Sequence, residues 1–545
     1  MARHRSQLAS VPDSPGREGR HLRAVAEDGL WRGLNPTMAL ISKGFVLAFV
    51  LAAVRDVEAV GAAFERVRVW IEGTLDWYYV LTVCACLLAC AVVACSRFGG
   101  VRLGDDDSTP EFRTSSWLAM LFSAGVGIGL LFFSIAEPIF YFDNHGSAGY
   151  PNNPLADLAG APSLDETRAM HAMRVAYFHW GLHGWAVYVV VGLCLAYFGF
   201  RKKLPLTMRS ALRPLIGDRV YGPAGDLVDL LAVFAAVFGI ATTLGLGASQ
   251  MATGLNVLAG VDPGLVTQIA LIAAISAAGT VSAVSGVNRG IRILSEWNIG
   301  LSVVLLGCFL LLGPALWLLG FVARSVGGYL LHAAPMGLWI ADDPGHVAWQ
   351  SGWTIFYWGW WIAWAPFVGM FIARISRGRT LREFVLGVLV VPTALGLLWI
   401  GILGGNALHM ELGAPGGVGT AGIVEVVRDG NYEAALYGTI AKLSDIGWLT
   451  WTMSALATLL LATWFVTSSD SGTLVLTTLL SMGDPDPPRR FRIVWGLGIG
   501  AVAAVLLLAD GLQALQTAVV AAALPVSVVL LLMIAGLFRS LARDP

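Results

Sequence analysis

The feature that most constrains this chain is a series of twelve apolar stretches, each long enough to cross a lipid bilayer as a helix, for which roughly 17–25 residues suffice. The stretches cover approximately residues 37–55, 76–96, 116–142, 175–200, 226–256, 264–285, 297–322, 352–373, 383–406, 447–481, 493–509 and 513–538. Hydrophobic residues make up 56% of the 545 residues, and charged residues make up 13%. A soluble protein of this length needs more polar surface. The sequence therefore predicts an all-α polytopic membrane protein with twelve transmembrane helices.

The basic residues indicate how these spans are oriented. Arginine and lysine are concentrated in alternate loops, at about 201–219, 289–292, 374–382 and 489–492, whereas the loop between spans five and six has none. Loops rich in these residues stay in the cytoplasm. We therefore expect both termini in the cytoplasm and a location in the bacterial plasma membrane. Residues 1–35 are polar, and we interpret them as a disordered cytoplasmic tail.

Span three contains a run of small residues, Ser123-Ala124-Gly125-Val126-Gly127-Ile128-Gly129. Alternate glycines lower the stability of a helix and remove the side chains that keep ligands away from its backbone. In transporters, such broken helices expose backbone groups near the middle of the membrane to substrate and ions. A small-residue seam for helix packing is the alternative interpretation, and this run alone does not decide between the two.

Span four carries three aromatic residues that share one arc of an ideal helix, Trp180, Trp185 and Tyr188, with glycines between them. This arrangement predicts a pocket flanked by rings, and an aromatic belt at the membrane interface is the alternative. His179 and His183 have the spacing of a helical metal pair, but the sequence offers no third ligand. We therefore interpret them as hydrogen-bonded structural residues.

Span eight is rich in tryptophan and contains a proline. On an ideal helix Trp360, Trp361, Trp364 and Phe367 fall within one third of the circumference. Pro366 frees a backbone carbonyl one turn earlier, and we expect it to bend and interrupt the helix. Spans three and eight, which lie five spans apart, are then both interrupted. Such a pair points to a binding site at the interface of two inverted repeats.

Aromatic rings in such numbers favour a particular kind of ligand. Indole and phenol rings attract quaternary ammonium groups through their negative faces, by up to about 2 kcal/mol or more each when the pair is shielded from water. A methylated cation donates no hydrogen bonds, so rings suit it better than a carboxylate does. Neither aromatic stretch contains an acidic residue, which disfavours a primary amine or a metal cation as the substrate.

Span ten contains a run of hydroxyl residues between Thr463 and Thr473. Hydroxyl and carbonyl oxygens are suitable ligands for sodium, but Ser and Thr in helices also bond to the carbonyl four residues earlier. Asp470 lies in this span and is a functional candidate, since an ionisable residue in a membrane helix is costly. The alternative is a hydrogen-bonded residue near the inner end of the span.

The chain closely resembles the betaine/choline/carnitine transporter family over roughly residues 36–540. The matching segments are Ala124–Leu130, His179–Tyr188, Phe367–Thr380 and Val466–Ser471. The resemblance implies a LeuT-type fold in which helices 3–12 form two inverted five-helix repeats, often assembled as a homotrimer. The domain boundaries that follow are a tail at 1–35, two peripheral helices at 36–115, a first repeat at 116–285 continuing through 286–322, an extracellular loop or helix at 323–351, a second repeat at 352–540 and a short cytoplasmic terminus at 541–545.

The resemblance also implies roles for individual residues. An aromatic box around a trimethylammonium group would consist of Trp180, Trp185, Tyr188 and Trp361, with Trp360 and Trp364 lining the route or a neighbouring subsite. The backbone of Gly125, Val126 and Gly127 would face the carboxylate end of the solute. One sodium ion would bind the carbonyls of Ser123, Val126 and Trp464 and the hydroxyls of Thr467 and Ser468. A second sodium site would use Thr242, Thr243 and Phe367.

Together these features predict a sodium-coupled importer of glycine betaine or a similar quaternary-ammonium solute, with no further cofactor and no nucleic acid partner. In the family that the chain resembles, proton-coupled choline members tend to have an aspartate where this chain has Gly129. Sodium-independent carnitine exchangers have an arginine in span five, where this chain has no basic residue between Arg219 and Arg289. Proton-coupled choline import is the alternative function. A polytopic enzyme or a channel is disfavoured, because the two histidines of span four are the only faint candidates for a catalytic or metal cluster.

Overall fold

The computed structural model describes residues 25–125, 127–143, 155, 165–285, 290–484 and 486–544. Within these residues the chain is helical, and its β-structure is limited to two isolated bridges. The helices of twelve or more residues are α1 (Pro36–Arg55), α2 (Val57–Cys95), α3 (Thr114–Gly125), α4 (Ile128–Phe142), α5 (Glu166–Trp180), α6 (Leu182–Ala196), α7 (Pro223–Ala259), α8 (Leu265–Ser285), α9 (Gly290–Leu312), α10 (Ala315–Leu338), α11 (Phe356–Arg374), α12 (Leu381–Leu412), α13 (Gly447–Leu480) and α14 (Arg489–Leu541). Shorter helices include Pro344–Gln350, Ile423–Arg428 and Ala434–Leu443.

Each predicted span falls on one or more of these helices. In the described part of the chain, 11 helical segments are long and apolar enough to cross a membrane by length and composition. Two shorter apolar segments, Ile128–Phe142 and Glu296–Leu312, lie in spans three and seven. The long helix α14 contains two of the 11 segments, Arg489–Ala509 and Gln513–Leu541, and Gly511 between them has a φ of +56°. The prediction of an all-α polytopic protein is therefore confirmed.

Span seven lies earlier in the chain than predicted. The predicted stretch 297–322 contains both the end of α9 at Leu312 and the beginning of α10 at Ala315. Pro314 separates the two helices, because proline has no N–H with which to continue α9. Residues 323–331, which begin the predicted extracellular loop or helix at 323–351, lie in the middle of the longer α10. Residues 286–289 lie outside the described residues, and α9 begins at Gly290.

Spans three and four are both interrupted. Span three breaks as predicted, since α3 ends at Gly125 and Gly127 precedes α4 in an extended conformation with φ −137° and ψ −178°. Val126 lies outside the described residues. The break in span four, at Gly181 between α5 and α6, has φ −95° and ψ −143° and was not predicted. The prediction that Trp180, Trp185 and Tyr188 share one arc of a single ideal helix was therefore wrong, because this break changes the rotation between Trp180 and the residues that follow.

Span eight is not interrupted at its proline. Helix α11 continues from Phe356 to Arg374 through Pro366, so the expectation of matching breaks in spans three and eight is wrong. One proline removes a single N–H, and membrane helices tolerate this where packed neighbours hold the flanking turns. Such packing is present: a Cβ on Gly359 would lie 3.0 Å from Cα of Val520, and one on Gly369 would lie 2.9 Å from the backbone nitrogen of Gly192.

Close crossings at glycines bring the helices of the predicted site together. A Cβ on Gly239 of α7 would lie 2.7 Å from the ring of Trp364 in α11. A Cβ on Gly247 of the same helix would lie 2.9 Å from the side chain of Ile128 at the start of α4. Helix α7 thus packs directly against both the break in span three and the tryptophan-rich helix.

Candidate functional site: a cavity lined by aromatic rings

A cavity of about 50 Å³ lies where the break in span three faces α11. Its described wall consists of Gly127, Ile128, Gly129, Leu130, Trp180, Tyr188, Thr243, Trp360, Trp361 and Trp364. Five of the six aromatic residues that the sequence predicts for a substrate site therefore lie in this wall. The sixth, Trp185, packs behind it, with its ring centroid 5.7 Å from that of Trp361 and 5.5 Å from that of Tyr188.

The rings pack around Trp361. Its centroid lies 6.0 Å from that of Trp180 and 4.7 Å from that of Tyr188, with interplanar angles of 69° and 49°. Trp180 also meets Trp360 edge to face, with 6.0 Å between the centroids. These rings are inclined to one another, and all of them border the cavity space. A cation in that space would lie within about 6 Å of several centroids at once, the range in which cation–π attraction is significant.

Hydrogen bonds hold two of the indoles in place. The Nε1 of Trp361 donates to the carbonyl oxygen of His179 at 3.1 Å. This carbonyl belongs to the last turn of α5, where carbonyls lack a helical partner. The Nε1 of Trp360 donates to the Thr243 hydroxyl at 3.3 Å. The unpredicted break in span four thus supplies the acceptor that fixes the central ring.

A buried carboxylate stands directly behind the box. The Glu137 side chain of α4 is fully buried, and its two oxygens accept four hydrogen bonds. Its Oε2 accepts from Nε1 of Trp180 at 2.8 Å and from the Tyr357 hydroxyl at 2.6 Å. Its Oε1 accepts from the Tyr141 hydroxyl at 3.0 Å and from Nδ1 of His179 at 2.8 Å. Glu137 therefore orients the Trp180 ring without itself belonging to the described cavity wall.

Sequence reasoning missed Glu137, although one signal was available. A glutamate inside an apolar span is costly unless it is paired, so Glu137 is a functional candidate for the same reason as Asp470. Its partners come from spans three, four and eight, and only Tyr141, four residues later on the same helix, has a spacing in the sequence that connects it to Glu137. The interpretation of His179 as a hydrogen-bonded structural residue agrees with its contacts, since its Nε2 also lies 3.1 Å from Oγ1 of Thr354.

Glycines give the rings their space. A Cβ on Gly129 would lie 2.2 Å from the Trp360 ring, and a Cβ on Gly184 would lie 2.3 Å from the Trp361 ring. A Cβ on Gly127, in contrast, would meet no atom within 4 Å. Glycine is therefore required at position 129 for ring packing. At position 127 it leaves the space beside the backbone unfilled.

The first predicted sodium site is only partly described. Val126 and the side chain of Ser123 lie outside the described residues. Oγ1 of Thr467 donates to the carbonyl oxygen of Thr463 at 2.8 Å and accepts from Nδ2 of Asn298 at 3.0 Å. The remaining predicted ligands are Trp464, which is buried, and Ser468, which is half-buried. This site stays a prediction.

The two threonines of the second predicted sodium site face different ways. Thr243 belongs to the cavity wall, whereas Oγ1 of Thr242 lies 2.9 Å from the carbonyl oxygen of Leu515 in α14. Phe367 reaches the region beside Trp364, with 5.2 Å between the two ring centroids. The structure thus places Thr243 and not Thr242 at the cavity, and the second site also stays a prediction.

Asp470 agrees with the structural alternative stated for it. Its side chain is fully buried in α13 and accepts hydrogen bonds from the hydroxyls of Ser282, at 2.6 Å, and Ser471, at 2.9 Å. Both carboxylate oxygens therefore have donors. These contacts tie span ten to span six.

Comparison with known proteins shows which kind of chain carries this cavity. A model of the betaine/carnitine/choline family transporters (BCCT) matches residues 37–545. The chain belongs to the BCCT family. It is therefore a multi-pass membrane transporter and not an enzyme, and the resemblance seen in the sequence is confirmed.

Relatives of this BCCT chain support the same conclusion. It is 39% identical over 523 residues to a glycine betaine transporter of Acinetobacter baylyi, covering 94% of this chain and 74% of the relative. It is 41% identical over 498 residues to a glycine betaine transporter of Bacillus subtilis, covering 91% and 92%. An osmo-dependent choline transporter of Acinetobacter baylyi is 39% identical over 523 residues, covering 94% and 72%.

Proposed function

We propose that this BCCT transporter imports glycine betaine, or a closely related quaternary-ammonium solute, by sodium-coupled alternating access. One observation carries the proposal, namely a cavity with five aromatic rings and no carboxylate in its described wall. Such a wall favours a methylated cation, which rings attract and which cannot donate hydrogen bonds. The relatives named as glycine betaine transporters support the same class of solute.

The wall suits both ends of a zwitterion. We place the trimethylammonium group among Trp180, Tyr188 and Trp361. The carboxylate then lies towards the break in span three, where Gly127 borders the cavity and the first N–H groups of α4 have no helical acceptor. Nε1 of Trp364 is buried and has no hydrogen-bond partner among the described residues, so it is available to donate to a carboxylate.

Entry of the solute requires the rings to move apart. The cavity of about 50 Å³ holds a few water molecules, since one water needs roughly 10–15 Å³. Movement of one group of helices against another provides such a change in secondary transporters. On this basis we assign transmembrane spans three to twelve to two inverted repeats of five spans each, with the cavity between span three and span eight. We also propose that both termini are cytoplasmic, that the protein lies in the bacterial plasma membrane and that it forms a homotrimer.

Sodium coupling is supported by the fit of Trp360 against Gly129. Because a Cβ there would already lie 2.2 Å from the ring, an aspartate at this position would have to displace Trp360. We therefore propose coupling through oxygen ligands. The first site consists of Ser123, Val126, Trp464, Thr467 and Ser468, and the second uses Thr243 with Phe367.

Uptake into proteoliposomes tests the substrate and the coupling ion together. Labelled glycine betaine is competed with choline, carnitine, ectoine and dimethylsulfoniopropionate, under either a sodium gradient or a proton gradient alone. We expect saturable uptake that needs sodium and that unlabelled glycine betaine inhibits most strongly. Equal uptake without sodium would disprove the coupling, and stronger inhibition by choline would disprove the assigned substrate.

A double variant tests the proposed ion site separately. Thr467→Ala with Ser468→Ala removes two hydroxyl ligands, so we expect the sodium concentration for half-maximal uptake to rise about tenfold, or roughly 1.4 kcal/mol. Thr463→Ala is the matched control, since its hydroxyl lies one turn earlier in α13 and bonds to the carbonyl of Leu460. An equal change in sodium dependence for the control would contradict the assignment of Thr467 and Ser468 as sodium ligands.

Proton-coupled choline import is the second candidate, and the relative named as a choline transporter supports choline as the solute. Choline has no carboxylate, so it makes no use of the indole N–H of Trp364. Trp364→Phe keeps a ring and removes this donor. We expect it to weaken glycine betaine uptake and to leave any choline uptake unchanged.

A further inference from the structure

A second group of polar side chains lies outside the cavity, in the interface between α5 and α10. His171, Arg174 and Tyr177 follow one another at intervals of three residues and therefore share one face of α5. This face meets α10, since Nη1 of Arg174 lies 3.4 Å from Nδ1 of His332 and the rings of Tyr177 and Tyr329 lie 6.4 Å apart.

Several donors in this interface have no acceptor. Among the described residues, Nε and Nη2 of Arg174, Nδ1 of His171 and the hydroxyls of Tyr177 and Ser325 are buried without a hydrogen-bond partner. Arg174 is 4% exposed. Buried polar groups are nearly always satisfied, so a cluster of unsatisfied groups calls for an additional ligand.

The one described contact of the Arg174 guanidinium does not satisfy it. Nδ1 of His332 lies 2.8 Å from the carbonyl oxygen of Gly328, so this nitrogen carries a hydrogen and donates it there. It therefore cannot accept from Nη1 of Arg174. The nearby carboxylates at the start of α5 have other roles, since Asp165 caps the helix and Glu166 pairs with Arg324.

The charge of the guanidinium decides which kind of ligand is needed. An arginine side chain stays protonated in proteins, and a buried charge without a partner is strongly destabilising. A water molecule accepts hydrogen bonds but supplies no opposite charge. A small anion supplies both, and it can accept from several of the surrounding donors at once.

We propose that the α5–α10 interface binds a small monovalent anion, either chloride or the carboxylate of a small solute, through Arg174, His171 and Tyr177. The site lies six residues before Trp180 on the same helix, about 9 Å along its axis. An anion here stabilises α5 against α10, and α5 carries Trp180 and the carbonyl that holds Trp361.

Thermal unfolding of the purified full-length protein tests the site independently of transport. The unfolding temperature is measured in equal concentrations of sodium chloride, sodium acetate and sodium gluconate, whose long chain does not fit a buried site. We expect chloride to raise the unfolding temperature of the wild type by several degrees over gluconate, because a ligand that binds only the folded state stabilises it. A rise in acetate instead of chloride identifies a carboxylate as the ligand.

Three variants locate the effect. Arg174→Gln should abolish the difference between the salts, whereas Arg324→Gln, which removes an exposed charge from α10, should keep it. Tyr177→Phe removes a single hydroxyl and should weaken the anion affinity several-fold, which provides a test if Arg174→Gln does not fold. The proposal is overturned if the wild type unfolds at the same temperature in all three salts, or if Arg174→Gln or Tyr177→Phe keeps the full effect.

Discussion

Spans three and eight meet at the same cavity but contribute to it in opposite ways. Span three is broken between α3 and α4, and its backbone and glycines border the cavity. Span eight keeps its helix through Pro366 and contributes Trp360, Trp361 and Trp364 from two successive turns. Two spans that lie five apart in the chain therefore border the same cavity with different conformations.

The difference follows from what each span has to present. Backbone N–H and C=O groups reach a ligand only where a helix is broken. Large rings, in contrast, need a regular helix to hold them at fixed angles to one another. The two spans are complementary at Gly129, where the Trp360 ring occupies the space that a side chain would take. This comparison can be tested one component at a time.

Removal of the central ring should have the largest effect. We expect Trp361→Ala to raise the glycine betaine concentration for half-maximal uptake ten- to thirtyfold, because a shielded cation–π contact is worth about 2 kcal/mol. Trp361→Phe keeps a ring and should fall between this variant and the wild type. The measurement is the concentration dependence of uptake in proteoliposomes, and wild-type values for Trp361→Ala would show that the ring does not contact the solute.

Loss of the charge behind the box should have the next largest effect. Glu137→Gln keeps the size of the side chain but replaces an acceptor oxygen with a donor, which faces donors such as Nε1 of Trp180. We expect about a tenfold rise in the half-saturating glycine betaine concentration and a change in tryptophan fluorescence. The fluorescence change would not follow from a general loss of stability.

A second buried glutamate provides the control for that experiment. Glu411 is also fully buried, and it accepts hydrogen bonds from the backbone nitrogens of Ile423 and Val424, away from the cavity. Glu411→Gln should lower the unfolding temperature without altering the half-saturating concentration. If both variants change uptake in the same way, Glu137 has no special role in positioning Trp180.

The sequence was sufficient for features that repeat within a short stretch. The twelve apolar stretches, the break at the glycines of span three and the rings of α11 each depend on residues close together in the chain. Trp360, Trp361 and Trp364 line the cavity for this reason, because α11 is continuous. Local periodicity determines which side chains share a helix face, and this holds wherever the helix is continuous.

Features that depend on contacts between spans could not be predicted in this way. The break at Gly181 requires a neighbouring helix, since a Cβ at that glycine would lie 2.5 Å from the Tyr329 hydroxyl of α10. Continuity through Pro366 depends on packing against α6 and α14. The role of Glu137 depends on donors from three spans, the farthest of which, Tyr357, lies 220 residues away in the chain.

The two glycines of span three should differ in their tolerance of a methyl group. Gly129→Ala places a Cβ against the Trp360 ring, so the ring must shift, and overpacking of this kind costs about 1–3 kcal/mol. We expect about a fivefold rise in the half-saturating glycine betaine concentration. Gly127→Ala, where a Cβ meets no atom within 4 Å and the backbone is extended, should stay within about twofold of the wild type. Equal effects from both would show that ring packing does not explain the glycine at 129.

The variant with the smallest expected effect tests whether the continuous helix of span eight stays rigid during transport. Pro366→Ala restores one backbone N–H in a helix that is already continuous, so it should raise the unfolding temperature and change the maximal uptake rate less than about twofold. If the proline were instead a hinge on which transport depends, the maximal rate would fall at least tenfold while the half-saturating concentration stayed the same. That result would make span eight a moving element like span three, and the contrast between a broken helix that presents backbone and a continuous helix that presents rings would no longer hold.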